Sequence, residues 1–370
     1  MIDLLPQIFE WFAAGEEIAM ATVIRVVGSA PRPVGARMIV SSGGGMAGSV
    51  SGGCVEATVY EEMMDVLDGG PPRKLHFGIT DDMIWDVGLA CGGTIDVYIQ
   101  LLDPVLVDAF SNRVEQGEPV VLATVVAEDA AGEMVLIAPE GAVLGRDEAG
   151  IAGAAQGMLT DRVEGGAILE LAPAMEVFIE PFFPPPVLVI VGGVHIAIPL
   201  IRFAKELGFR VIVVDPRAKF ANRGRFPEAD EILVEWPDEA LAHIDVDDAT
   251  YLVLLTHDPK IDEPTLAAAL KTDAAYIGAI GSRKTHAARF ERMANWGVTA
   301  EQLERVYAPI GLDLGGRMPE ETALSIMAEV VAVKNGRSGA SLRSTRGPIG
   351  QATKLPAEAR RGVATGQHIP

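Results

Sequence analysis

The strongest hydropathic signal lies in the second half of the chain, where short apolar runs alternate with segments of helical period. Residues 187–191 are all apolar, a glycine-bearing turn follows, and residues 196–207 keep helical spacing up to Gly208. A second apolar run at 210–214 then ends on Asp215. A strand buried on both faces shows such an uninterrupted run, so this segment is expected to form a βαβ unit. Further apolar runs at 231–235, 251–255 and 275–277 alternate with helical stretches at 263–271, 283–295 and 320–333. This order predicts a doubly wound parallel sheet with helices on both faces.

The first half has a different rhythm. It suggests a helix over 4–14, a nearly continuous apolar strand over 18–27, a strand over 36–41 and a helix over about 54–67, closed by Gly69 and Gly70. In residues 94–101 the side chains alternate. Ile95, Val97, Ile99 and Leu101 share one face and Thr94, Asp96, Tyr98 and Gln100 the other, which predicts a half-buried strand. Between 103 and 180 the pattern gives a helix, a strand over 120–127, hairpin strands and a last strand over 175–179. The expectation is an α/β protein, with an N-terminal α+β domain bearing the cysteines followed by the parallel-sheet domain.

Pro181-Phe182-Phe183-Pro184-Pro185-Pro186 marks the boundary, because consecutive prolines continue neither a helix nor a central strand. The domains expected are 1–180 (with subdomains 1–103 and 104–180), a linker at 181–186, a sheet domain at 187–340 and a flexible tail at 341–370. At 370 residues the chain is too long for one core, and its 49% hydrophobic and 22% charged residues are those of a globular protein. The net charge of −21 repels phosphate backbones and anionic bilayers, which argues against nucleic-acid and membrane partners. The longest apolar stretch, 187–201, is interrupted by Gly192, Gly193, His195 and Pro199 and is too short to span a bilayer. The N-terminus lacks the basic segment of a signal peptide. Only two cysteines occur, Cys54 and Cys91, too few for a disulfide framework, so a reducing, cytoplasmic setting is expected.

Both cysteines adjoin glycine pairs. In Gly48-Ser49-Val50-Ser51-Gly52-Gly53-Cys54-Val55-Glu56 a turn delivers Cys54 to the start of a helix, where the helix dipole and unpaired N–H groups favour a thiolate. Cys91 precedes Gly92 and Gly93, ahead of a strand. Two such turns can wall one pocket, with N–H groups from Ser51, Gly52, Gly53, Gly92 and Gly93 facing an anionic, sulfur-bearing or metal-bearing ligand. The plain alternative is a small buried residue beside a tight turn. Zinc is disfavoured, since neither a CxxC pair nor a nearby pair of histidines is present. Arg32 and Arg37 flank a Pro/Gly loop and are candidate anion clamps.

In the second half, Gly192-Gly193-Val194-His195-Ile196-Ala197 partly matches the dinucleotide fingerprint G-x-G-x-x-G/A. Asp215, 23 residues past Gly192, stands where an acid binds a ribose hydroxyl. Val194 replaces the second glycine, and its side chain obstructs approach to a pyrophosphate. A rival function follows from this unit, an NAD(P)-dependent oxidoreductase. Three loops are predicted to meet at the carboxyl edge of the sheet: Thr256-His257-Asp258, which offers His257 as an acid/base group beside Asp258, then Gly278-Ala279-Ile280-Gly281-Ser282-Arg283-Lys284, where glycine, serine and two cations at a helix start make a candidate anion site or, on the plain alternative, an N-cap with a solvated Arg-Lys pair, and residues 309–316.

Taken in order, the motifs GSAPR…GAR, GSVSGGCVE, FGIT and CGGTIDV, with the later VDPRAKFA, THD, GAIGSRK and GLDLGGRMPEETALSI, closely resemble the XdhC/CoxI family of xanthine dehydrogenase accessory proteins. The likeness covers nearly all of residues 1–335. It implies an N-terminal cysteine domain followed by a Rossmann-like domain, and an accessory protein rather than a stand-alone catalyst. It further implies binding of the molybdenum cofactor, sulfuration assisted by a cysteine desulfurase, and delivery to a xanthine dehydrogenase-type molybdenum hydroxylase. A homo-oligomer is expected. Cys54 and Cys91 match cysteines of the family motifs, with Cys54 the candidate to hold molybdenum or a transferable sulfur. His195 matches the histidine of the family's glycine turn, and Arg217 lies in its VDPR motif.

Overall fold

In the computed structural model, which describes residues 1–78, 93–126, 132–145, 151–172 and 175–345, the chain divides into two units, Met1–Pro184 and Pro185–Pro370. The first unit opens with helix α1 (Leu5–Ala13), strands β1 (Ile18–Val27), β2 (Arg37–Ser41) and β3 (Met46–Gly48), helix α2 (Glu56–Leu67), and strands β4 (Arg73–Phe77) and β5 (Thr94–Leu101). The strands form an antiparallel sheet in the order β3-β2-β1-β5-β4. Helix α3 (Pro104–Glu115), strands β6 (Val120–Val125), β7 (Met134–Ala138) and β8 (Gly141–Leu144), helix α4 (Ile151–Thr160), and strands β9 (Ala167–Ala172) and β10 (Met175–Phe182) build a second antiparallel sheet, ordered β8-β7-β6-β10-β9.

Three apolar layers hold this unit together. Helix α2 covers one face of the first sheet through Val59, Met63 and Val66, packed on Ala21, Val23, Val97 and Ile99. The opposite face meets the second sheet, where Ile18, Met20 and Ile39 pack with Val120, Leu122, Leu136 and helices α1 and α3. Helix α4 closes the far side. The near-continuous apolar sequence of β1 is thus explained by cover on both faces.

Strand β5 departs from expectation. Its polar face is not solvated: Tyr98 and Gln100 are each 2% exposed and Asp96 9%, with Val126, just past β6, and Phe178 of β10 packed with Tyr98, and Asp96 paired with Arg25 and His76. Pro181 and Phe182, the first residues of the expected linker, continue β10. The pairing of β9 with β10 ends at Ile179, so beyond that point β10 has a neighbour only in β6. A proline is tolerated where one flank of the strand is open.

The second unit runs β11 (Val187–Val191), α5 (Ala197–Glu206), β12 (Arg210–Val214), β13 (Glu231–Leu233), α6 (Pro237–Ala240), β14 (Thr250–Leu254), α7 (Pro259–Ala269), β15 (Tyr276–Ala279), α8 (Arg283–Met293), α9 (Ala300–Leu303), β16 (Val306–Tyr307) and α10 (Pro319–Lys334). The sheet is wholly parallel, in the order β13-β12-β11-β14-β15-β16. Helices α5 and α10 bury one face and α6 to α8 the other. The order reverses between β11 and β14, and the crevice outside that switch point is where such sheets take ligands.

Candidate functional site

The Cys54 motif lies beyond β3, beside the loop that leaves β1. A Cβ on Gly52 would stand 3.9 Å from Pro31 Cβ, so the 48–55 turn and the 28–36 loop are neighbours. Gly93 joins them from the other side, since a Cβ there would overlap the Ser29 carbonyl. Cys91 and Gly92 fall outside the described residues. Cys54 itself is a free, exposed thiol.

The structure corrects the expected environment of this thiol. Helix α2 begins at Glu56 with Val55 as its cap residue, so Cys54 precedes the helix instead of lying in its first turn. The reason is Glu56, which folds back into the turn. Its carboxylate accepts N–H bonds from Ser51 (2.9 Å), Gly52 (2.9 Å), Gly53 (2.8 Å) and Val55 (3.2 Å), and the hydroxyls of Ser49 (2.7 Å) and Ser51. Ser51 Oγ accepts from the N–H of Cys54 at 3.0 Å and of Val55 at 3.1 Å. The N–H groups of Ser51, Gly52 and Gly53, expected to face a ligand, therefore already have acceptors within the chain. Burial opposes ionisation of Glu56, but the Ser51 and Ser49 hydroxyls and the turn's N–H groups outweigh it and hold the carboxyl at about 2.

The two arginines differ. Arg37 is 5% exposed and is no clamp for a ligand. It pairs with Glu180 of β10, through Nη1 to Oε1 at 3.2 Å and through Nη2 to Oε2, and it donates to Gly35 O at 2.9 Å. Arg37 begins β2, inside the sheet, and not in the exposed loop before it, which is why it is engaged within the chain. Arg32 remains exposed, at a cavity of about 250 Å³ also lined by Pro33, Gly35, Arg37 and Glu180.

At the switch point of the second unit, the groups expected to hold a dinucleotide are engaged with one another. Asp215 is 0% exposed. It accepts from the Gly193 N–H (2.9 Å), the Arg217 N–H (2.9 Å), and Arg217 Nε and Nη2 (2.8 Å each). Burial works against its ionisation, yet Arg217 and these N–H donors keep its pKa below the usual aspartate value. Gly192 N–H donates to Val214 O and Val194 N–H to Gly192 O. A Cβ on Gly193 would come within 2.5 Å of the Phe220 carbonyl oxygen, so the 217–220 segment lies where a pyrophosphate would approach. The Arg217 guanidinium stacks on the Phe220 ring at 4.1 Å. Asp215 and the Gly193 N–H, the groups expected to meet a ribose hydroxyl and a pyrophosphate, are thus bonded to each other and to Arg217, so they lend no support to the NAD(P) reading.

The remaining candidates are dispersed over this edge. His195 and His257 are exposed. Asp258 is not the partner of His257: it caps α7, accepting the Lys260 N–H at 3.0 Å, and this cap with Pro259 starts the helix four residues earlier than expected. Thr256 abuts Gly192 and donates its hydroxyl to Asp262, which also pairs with Arg289. Ser282, Arg283 and Lys284 are exposed at the start of α8. Among the described residues no group of three or more His, Cys, Asp or Glu side chains is placed to hold a metal ion, and no helix is long and apolar enough to cross a membrane.

Two sets of residues become visible only in the fold. Glu56 is one, although an acid three residues past a Gly-Gly pair signals it. The buried Asp262, Arg289 and His286 are the other, and for these no local signal exists.

Residues 188–330 match the XdhC Rossmann domain and residues 11–78 the XdhC and CoxI family. A probable xanthine dehydrogenase subunit of Bacillus subtilis is 26% identical over 327 residues, 86% of this chain and 94% of that protein. The molybdenum cofactor insertion chaperone PaoD of Escherichia coli is 28% identical over 329 residues, 88% of this chain and 86% of its own. The crystal structure of a xanthine dehydrogenase from Bacillus halodurans has a TM-score of 0.69 at 26% identity, covering 93% of this chain and 97% of that one. The matched stretches take in more than half of the sequence and fall in both units, and the relatives run along most of its length: the chain belongs to the XdhC and CoxI family.

Proposed function

We propose that this protein is a molybdenum-cofactor chaperone: it binds the cofactor as cargo, assists its sulfuration together with a cysteine desulfurase, and hands it to a xanthine dehydrogenase-type molybdenum hydroxylase. The observation that carries this reading is the exposed Cys54 thiol on a turn whose N–H donors are closed by Glu56, Ser49 and Ser51. A turn held in this way needs no ligand to set its shape, so the thiol is presented to an incoming cargo already positioned. Molybdenum bound to a dithiolene and a sulfide is a soft centre, for which thiolate is the matching protein ligand. Arg32, exposed on the loop against the same turn, is the available cation for the cargo's anionic portion. The relatives' names, a cofactor insertion chaperone among them, support the same role.

The test is cofactor binding by the full chain. Protein incubated with excess isolated molybdenum cofactor and then desalted should retain molybdenum in stoichiometric amount, and Cys54→Ala should lose it while keeping the wild-type melting temperature. Absence of stoichiometric binding, or binding unaffected by Cys54→Ala, overturns the proposal.

A further inference from the structure

The start of α8 presents an electrostatic problem. Ser282 caps the helix: its Oγ accepts the Thr285 N–H at 3.1 Å and lies 2.8 Å from Thr285 Oγ1. The N–H groups of Arg283 and Lys284, the first two helical positions, have no acceptor within the helix. Both of these residues carry exposed cations, and the first turn contains no acid to balance them. Cations at the positive end of a helix are unfavourable, as an anion there would be favourable. In a protein of net charge −21, this turn concentrates positive charge that no acid of its own first turn answers.

A second observation comes from beneath the turn. His286, one turn into α8, is 3% exposed. Its Nδ1 lies 3.2 Å from Arg289 Nη1; a guanidinium only donates, so Nδ1 accepts and the ring proton sits on Nε2. Arg289 is held in turn by Asp262. Burial, with the charge of Arg289, pushes His286 down to about 4, which keeps the ring neutral. Nε2 is directed at Gly281, where a Cβ would come within 2.9 Å of it. The Gly281 backbone draws weakly on the proton, but no acceptor lies in hydrogen-bond geometry. A buried donor left without a partner is costly and calls for an explanation.

We propose that the Gly281–Lys284 turn is a phosphate-binding subsite, in which the N–H groups and side chains of Arg283 and Lys284 receive a phosphate dianion and His286 Nε2–H donates to it from below. Ser282 holds the helix start open, and the Asp262–Arg289 pair sets the ring of His286. The ligand class is a phosphate, free or carried as a monoester by a small organic molecule. The site shares no residue with the Cys54 turn and stands or falls separately from the cargo reading.

The full chain, labelled with nitrogen-15 histidine, is titrated with inorganic phosphate in one arm and AMP in another, with chloride at matched ionic strength as control. Saturable movement of the His286 ring resonances is expected with both phosphates and not with chloride. Saturation by AMP at about tenfold lower concentration identifies an esterified source, and the reverse order free phosphate. The double variant Arg283→Glu/Lys284→Glu, altered only at exposed positions, should melt at or above the wild-type temperature, since acids suit the first helical turn, and need at least about tenfold more phosphate, as expected for two lost charge-assisted contacts. No movement of the His286 signals up to about 10 mM of either probe, a weaker affinity than useful recognition requires, overturns the proposal. So does an equal response to chloride or unchanged saturation in the variant.

Discussion

Within the Cys54 turn the backbone N–H groups of Ser51, Gly52, Gly53 and Val55 all converge on one carboxylate, that of Glu56. Replacing it by glutamine removes the charge and sets an amide among donors. Glu56→Gln is expected to destabilise the protein by about 2 kcal/mol near neutral pH, the scale of a lost cap with unsatisfied donors. The pH dependence has a definite sign. The folded carboxyl titrates at about 2 against an ordinary 4.5, so protons bind the unfolded chain more readily, and the stabilisation is present above pH 4.5 and fades as the pH falls toward 2. Denaturant unfolding of the wild type and the variant should therefore give a gap that is smaller at pH 3 than at pH 6; an equal gap at both values removes Glu56 as its source. The sequence showed the glycines and the thiol, but not that an acid at the first helical position would take up the donors the glycines expose. Hydrogen-bond partners depend on where the chain folds back.

At the scale of elements, Arg37 on β2 and Glu180 on β10 form a buried ion pair joining the two sheets of the first unit. Removing one member leaves a charge without compensation. Arg37→Met is expected to cost about 3–5 kcal/mol, whereas Arg37→Met with Glu180→Leu should recover most of that loss, because both desolvation penalties disappear together. Urea unfolding of the two variants measures this, and a double variant no more stable than the single one would show that the pair does not act as a unit. The extents of the elements were largely legible: β1 spans Ile18–Val27 and β5 spans Thr94–Leu101, as their apolar patterns indicate. The burial of β5 was not, since Tyr98 packs with Val126 and Phe178, which follow later in the chain.

On the scale of the whole molecule, the parallel sheet of the second unit has the strand order associated with dinucleotide binding, yet Asp215, Arg217, Gly193 and Phe220 close the crevice from within. NADH or NADPH at millimolar concentration is therefore expected to leave the melting temperature unchanged, since only a ligand selective for the folded state raises it. A clear rise would reopen the oxidoreductase reading. By itself the sequence determined the alternation of strands and helices in the second unit and the two glycine-flanked cysteines, because periodicity and backbone preference are local properties. The tertiary structure alone decided which polar groups are free. Arg37, Asp215 and the Gly52-Gly53 donors are engaged, while Cys54, Arg32, Arg283 and Lys284 stay open. Whether a polar group has a partner depends on segments far apart in sequence being brought within hydrogen-bond distance, and hydropathy along the chain carries no record of that distance.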